Sequence, residues 1–211
     1  IWNTMYNNIA NVNSILKDIK SRKDLFINHE GDVLEAEALA MRAFMHFDLL
    51  RMFAPAYQDN EDRIAIPYVE TYERVRYPHL PTKEIMEKVL KDLNEAEKML
   101  EASDDPILKE VICTYSGKND FMANRQYRFN YWAVNALKAR VYLYMGDVEN
   151  ANHYAMKVIE ESPFTWVSET DVTSGDRIFM PELICGLNVP KLANYYETYF
   201  TSEKYSLSDG W

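Results

Sequence analysis

DVLEAEALAMRAFMHFDLLRMFAP, running from Asp32 to Pro55, is the longest uninterrupted helical pattern in the chain. Asp32 followed by Glu35 reads as a capping box. Pro55 cannot continue the helix and restricts Ala54. The pattern spans roughly six turns at about 3.6 residues each. At about 100° per residue, Glu37, Asp48 and Arg51 share one narrow strip, while Ala38, Met41, Phe44, Met45, Phe47, Leu49, Leu50, Met52 and Phe53 fill nearly all the rest. A helix apolar almost all round is buried on more than one side. Arg42 and His46 interrupt the apolar surface beside Ala38, Leu49 and Phe53, and a charge in that position requires a partner.

Residues 1–20 place Trp2, Met5, Tyr6, Ile9, Val12, Asn13, Leu16 and Ile19 at three- and four-residue steps, so an amphipathic helix precedes the central one. The polar stretch Ser21–Gly31 turns between them into a helical hairpin. From Ala56 to Pro81 no period persists. Pro67, Pro78 and Pro81 stand among Tyr57, Tyr68, Tyr72 and Tyr77, a composition that predicts an ordered surface excursion rather than a tether. Thr82 is the expected N-cap of the next helix, with Glu84 in its first turn. That helix runs to about Ala102 on a stripe of Ile85, Val89, Leu93, Ala96 and Leu100. Asp92 falls inside this stripe. Two misplaced opposite charges on successive helices predict one buried ion pair, Arg42 with Asp92.

Asp104–Arg128 forms a second excursion turning at Gly117-Lys118-Asn119-Asp120. Helix resumes near Asn130, with Trp132, Ala136, Leu137, Ala139, Val141, Tyr142 and Leu143 at helical spacing. Gly146 fits a left-handed C-terminal position, and Asp147 can cap a helix from Val148 to Glu161 that ends at Ser162-Pro163. The ladder Tyr142, Gly146, Ala151, Ala155, Val158, Pro163 resembles the tetratricopeptide pattern. Ala38, Arg42 and Phe44 match Ala136, Arg140 and Tyr142 at one constant offset, and Val89, Leu93 and Ala96 match Ala151, Ala155 and Val158 at a second. The difference between the offsets is the excursion between Pro55 and Pro81. Arg42's helix and Arg140's are therefore each expected to clasp the helix that follows. Beyond Pro163, Arg177–Phe179 and Glu182–Leu187 read as a short strand after a loop, and Ala193–Phe200 as a tyrosine-rich helical turn or strand.

Composition narrows the function. The 211 residues carry a formal charge of −10 and a pI near 4.9, which argues against a nucleic-acid partner, since phosphate backbones require a Lys/Arg patch. No apolar run approaches the roughly 20 residues needed to span a bilayer. Cys113 and Cys185 form neither a disulfide framework nor a metal pattern, and His29, His46, His79 and His153 show no HxxxH or HExxH spacing. The carboxylate pairs Asp104-Asp105 and Glu160-Glu161 are sequence neighbours, not acids held across a glycosidic bond. No GxSxG or phosphate loop is present. No catalytic residue, metal or cofactor is expected.

The helix Glu35-Ala36-x5-Arg42-Ala43-x3-Phe47-x2-Leu50-x2-Phe53, then Ile66-Pro67, Asp92-Leu93-x2-Ala96, and Ala139-Arg140-Val141-Tyr142-Leu143 with Gly146-Asp147, together resemble the SusD/RagB family of nutrient-binding outer-membrane lipoproteins. Trp2-x3-Tyr6-x2-Ile9-x3-Asn13-x2-Leu16 and Glu182-Leu183-Ile184 extend the likeness. The resemblance implies an all-α fold of tetratricopeptide-like helical hairpins with long inserted loops, one domain across residues 1–211 incomplete at both ends. It also implies a longer protein, with a lipidated N-terminal cysteine as its membrane anchor and a C-terminal region that contributes much of the glycan site, both expected to lie outside these residues.

The implied role is non-catalytic capture of an oligosaccharide or other nutrient at the surface of the outer membrane, beside a SusC-like TonB-dependent transporter. A tetratricopeptide-type scaffold that binds proteins is the competing reading. Sugars offer flat C–H faces and many hydroxyls, which aromatic side chains on rigid loops suit. Tyr57, Tyr68, Tyr72, Tyr77 and Trp166 are the candidates for ligand contact, with Trp211 and the Tyr195-Tyr196-Tyr199 cluster behind them. The alternative for each is to anchor its loop to the helices. Trp2, Trp132, Tyr142 and Tyr144 sit in helical phase and are expected in the core, as is His46 beside Arg42.

Overall fold

A computed structural model of the chain describes residues 1–103, 106–111, 121–187 and 189–201. Cys113, Asp104-Asp105, the Gly117–Asp120 turn and Trp211 lie outside the described residues, as does the side chain of Tyr199. Five long helices carry the architecture: α1 (Trp2–Ile19), α2 (Glu30–Phe53), α3 (Thr82–Ala102), α4 (Tyr131–Met145) and α5 (Val148–Glu161). Two short ones follow, α6 (Glu169–Thr173) and α7 (Leu192–Tyr196). Each long helix packs on its predecessor, and α4 also touches α2.

The central helix is buried as its pattern requires. Ala36, Ala43, Phe47, Leu49 and Leu50 are wholly inaccessible, facing α1 through Ile9, Val12 and Leu16 and α3 through Ile85, Val89, Leu93, Ala96 and Leu100. Removing each large apolar side chain from water contributes about 1.5–3 kcal/mol before entropy is counted. On α1 the same spacing yields one buried face, Ile9 to Ile19.

Two expectations at helix ends are overturned, and one in the tail. α2 starts at Glu30, not Asp32, and His29 caps it in the left-handed region (φ 62°) without a side-chain bond. Asp32 and Glu35 instead receive the Lys23 ammonium, at 2.6 and 2.7 Å. α3 begins with Thr82 inside the helix, after Pro81. The Thr82 hydroxyl donates to the carbonyl of Arg63, tying the excursion to the helix rather than capping it. The tail beyond Pro163 holds no strand among the described residues: Met180–Glu182 is a 3₁₀ turn, and Leu192–Tyr196 continues into a π turn at Glu197–Thr201. The Glu182 carboxylate accepts from the amide of Val167, fifteen residues back, and ties the turn to the segment after α5.

The α4–α5 hairpin follows the sequence closely. Asn130 accepts from Ala133 N as N-cap, Gly146 sits at φ 83°, and Asp147 accepts from Asn150 N. Only glycine adopts that φ at little cost, so the turn is made in two residues. Arg140's helix packs on α5 as expected, as Arg42's does on α3, but the Arg140 side chain takes no part in that packing. It points back to α2, 3.7 Å from Asp48 and over the Phe47 ring. The charge facing α3 and α5 is Lys138, two residues earlier and on the opposite side of the helix, which donates to Glu97 at 2.5 Å and to the Tyr154 hydroxyl at 2.8 Å.

Candidate functional site

Arg42 rises from the middle of α2 into the seam with α3. Its Nε and Nη2 donate to the two oxygens of Asp92, both at 2.7 Å, a bidentate pair with both side chains almost fully buried. Burial alone would lower the Arg42 pKa, but the Asp92 bonds outweigh it and hold the guanidinium charged. Its Nη1 donates to Asn13 Oδ1 on α1 at 3.0 Å and to the carbonyl of Glu70 at 3.2 Å. The pair is therefore joined to a third helix and to the excursion.

The two ends of the excursion are paired by a few backbone bonds around the Ile64–Pro81 bridge, Ala65 N to Leu80 O, Leu80 N to Ile66 O and Thr82 N to Arg63 O, which stop short of residues 67–73. Beyond that pairing, side chains of the helices take up its polar groups. Tyr6 donates to Pro67 O at 2.8 Å, Asn13 Nδ2 to Val69 O at 2.9 Å, and Val69 N donates to His46 Nε2 at 3.0 Å. Burial pulls the His46 pKa down to about 3. The ring is therefore neutral, accepts at Nε2, and donates from Nδ1 to the carbonyl of Arg42 at 2.9 Å. Histidine at this position serves the loop, as a core residue with two backbone partners.

Above the pair a cleft of about 450 Å³ opens between α1, α3 and residues 70–73. Arg42, Asp92 and Asn13 form its floor, Lys17 and Lys91 stand on its two helical walls, and Glu70, Thr71 and Tyr72 line the loop side. The Glu70 carboxylate is engaged by Lys88 at 2.7 Å. The cleft thus offers amines, carboxylates, a hydroxyl and one aromatic ring around a floor whose charges are already paired.

The structure separates the five predicted aromatic contacts. Tyr72 is half-exposed, at 51%, on the rim of the cleft. Tyr77 is partly covered, and its hydroxyl is hydrogen-bonded to that of Thr71. Tyr68 has no free face: it is 3% exposed, stacks on His46 at 3.9 Å and donates its hydroxyl to Asp92 Oδ2 at 2.7 Å. Burial first, and then Asp92, raises its pKa and keeps it a donor. This aromatic between two prolines is a core residue, its ring packed in the core and its hydroxyl satisfying a lone pair of the buried carboxylate. Tyr57 is half-buried and donates to Glu61 at 2.8 Å, with burial and Glu61 pushing its pKa up to about 12. Trp166 is 74% exposed but lies elsewhere, over a small apolar hollow formed with Ile159, Phe164 and Ile184 beyond α5.

Two features escaped the sequence reading. Asn13, placed there on a core stripe, is the polar link between the ion pair and the loop. Glu37, placed on the polar strip of α2, is buried and bound by Arg125 and Arg128, with Arg128 Nη2 at 2.9 Å. Arg125–Tyr127 is one 3₁₀ turn in a segment without periodicity, so no spacing could have signalled the contact. Cys185 is a free thiol beside the carbonyl of Arg128. No group of acidic, His or Cys side chains among the described residues could hold a metal ion, and no helix among them is long and apolar enough to cross a membrane.

Comparison with known proteins places this geometry. The SusD-like family described as "Starch-binding associating with outer membrane" matches residues 1–143. A SusD superfamily protein from Bacteroides thetaiotaomicron superposes with a TM-score of 0.65 at 24% identity, over 81% of this chain and 34% of its own. One from Bacteroides fragilis does so with a TM-score of 0.67 at 23% identity, over 89% and 40%. A laminarin-binding SusD-like protein gives 0.63 at 20% identity, over 87% and 36%. At these identities the likeness is one of fold, and the chain spans between a third and two-fifths of the length of each. No curated protein matches it.

Proposed function

The chain belongs to the SusD-like family, described as starch-binding and associated with the outer membrane, and from that membership we propose that it is the helical part of a protein that captures an oligosaccharide at the cell surface. The captured glycan is handed unchanged to a SusC-like TonB-dependent transporter beside it. The family match over residues 1–143 carries this reading. The cleft supports it chemically. The exposed Tyr72 ring supplies a flat apolar face for sugar C–H groups, and Lys17, Lys91, Glu73 and Glu95 supply donors and acceptors for hydroxyls. Because Arg42 and Asp92 are already paired, they contribute shape rather than free charge, which suits a neutral polyhydroxyl ligand.

Binding is non-catalytic in this reading. The carboxylates of the cleft are tied up by Arg42 or Lys88, or are exposed at its rim. Asp92 is desolvated but has both oxygens engaged by Arg42 and Tyr68, and the other carboxylates lack the desolvated setting that a glycosidic acid requires.

Calorimetry with soluble starch and laminarin on the whole protein tests the assignment. Tyr72→Ala should weaken binding about fivefold, the loss of one stacking contact of about 1 kcal/mol. Stability should change by less than about 0.5 kcal/mol, because the ring is exposed. An unchanged affinity would move the ligand away from the cleft. Co-purification with a transporter from solubilised outer membranes tests delivery, and its absence under conditions that retain the glycan would remove that step.

A further inference from the structure

The backbone of residues 67–71 is held by side chains, and one of them also holds the buried ion pair. Asn13 is 1% exposed and lies in the floor of the cleft. Its Oδ1 accepts from Arg42 Nη1 at 3.0 Å while its Nδ2 donates to Val69 O at 2.9 Å and reaches Thr71 O at 3.5 Å. The orientation of the amide is dictated by its neighbours, since a guanidinium can only donate and a carbonyl can only accept. The two halves of one side chain therefore face opposite requirements. Arg42 adds a second tie of its own, to Glu70 O, and Lys88 a third, to the Glu70 carboxylate. Tyr72 follows directly after these anchored residues.

We infer that Asn13 is the positioning residue of the cleft: it transmits the fixed geometry of the Arg42–Asp92 pair to residues 69–73 and so sets where the Tyr72 ring stands for a bound sugar. The inference rests on the cleft being the glycan site. Residues 67–73 lie beyond the backbone pairing of the excursion's ends; without other ties they would sample many backbone conformations, and ordering them on binding would subtract from affinity. A loop ordered in advance by a buried amide avoids that loss. The amide is suited to the task because it is uncharged and offers donor and acceptor on one short arm; a serine is too short, and a carboxylate lacks the donor.

Asn13→Asp is the discriminating variant. It retains an acceptor for Arg42 but turns a donor into an acceptor facing the carbonyls of Val69 and Thr71. Hydrogen exchange on the whole protein without ligand should show residues 69–73 losing protection about tenfold or more, while the α2 and α3 amides around Arg42 and Asp92 change little. Affinity for soluble starch or laminarin should fall about fivefold, as for Tyr72→Ala, and the double variant should lose little more, because both act through one ring. Unchanged protection of 69–73 in Asn13→Asp overturns the inference and leaves the cleft standing. So does a loosened loop with full affinity when Tyr72→Ala binds weakly. Full affinity in Tyr72→Ala sinks the cleft, and with it the inference. Should Asn13→Asp fail to fold, Asn13→Ser removes the reach to Val69 and is judged by the same two readouts.

Discussion

Between α2 and α3 one guanidinium grips Asp92 by two bonds of 2.7 Å. Between α3, α4 and α5 two ammonium groups share Glu97, at 2.5 Å from Lys138 and 2.9 Å from Lys157. Both acids stand on α3, five residues apart, which turns them about 140° from each other around the helix. That single helix is therefore ionically tied to neighbours on two sides. The two ties differ in what else they can do. A planar guanidinium satisfies a carboxylate with one edge and keeps donors for other partners, so Arg42 also reaches Asn13 and Glu70 and fastens the excursion. Ammonium groups act as point charges. Lys138 and Lys157 are absorbed within a hairpin whose connection is two residues long, and Tyr154 on the same hairpin completes Lys138. The pair with a long insertion lies in the floor of a cleft, and the pair without one is a fastening alone.

That contrast can be broken most forcefully at Asp92. Asp92→Ala leaves a buried guanidinium, which cannot shed its proton, and should cost about 3–5 kcal/mol in urea denaturation. A loss below about 1 kcal/mol would mean the clasp contributes little beyond shape. Glu97→Ala should cost less, about 2–3 kcal/mol, since the carboxylate is partly exposed and the Tyr154 hydroxyl still accepts from Lys138. Its effect should leave the protection of residues 69–73 intact, whereas Asp92→Ala should not.

Acid sharpens the comparison further, because only the first hairpin carries a buried histidine. The His46 pKa is pulled by burial from 6.5 to about 3, so between those values the unfolded chain binds a proton that the folded one refuses. Stability from this source is complete above about pH 6.5 and falls by roughly 1 kcal/mol per pH unit as pH drops toward 3. Urea midpoints at pH 6.5, 5.5 and 5 should show this slope, and His46→Gln should flatten it; equal slopes would assign the acid lability elsewhere. The smallest effect expected is that of Arg140→Ala, under about 0.5 kcal/mol, since the side chain is half-exposed and 3.7 Å from Asp48. A cost comparable to that at Asp92 would restore Arg140 as the counterpart of Arg42.

The internal repeat carries the order of the helices but not the partner of every side chain. It matched Arg42 to Arg140 because both follow an alanine at the same offset, and it placed both hairpins and the Gly146 turn correctly. Which side of α4 faces α3 is not legible in it, since that helix is apolar nearly all round. Tyr68 and Tyr72 look alike in the chain, four residues apart among prolines. One fills the core and one stands at the rim, and only the position of Asp92 and His46 in space separates them.

Periodicity, proline and glycine placement, and one acid stranded on an apolar stripe were enough to determine five long helices, their order, and the fact that Arg42 and Asp92 require each other, because those are demands of local geometry and of burying charge. Which polar groups the excursion would borrow, that Asn13 would bridge pair and loop, and that Glu37 would meet Arg125 and Arg128 across some ninety residues were decided only by tertiary structure. Such contacts join segments without periodicity, and they exist because every buried polar group must find a partner wherever the packed helices happen to leave one within reach.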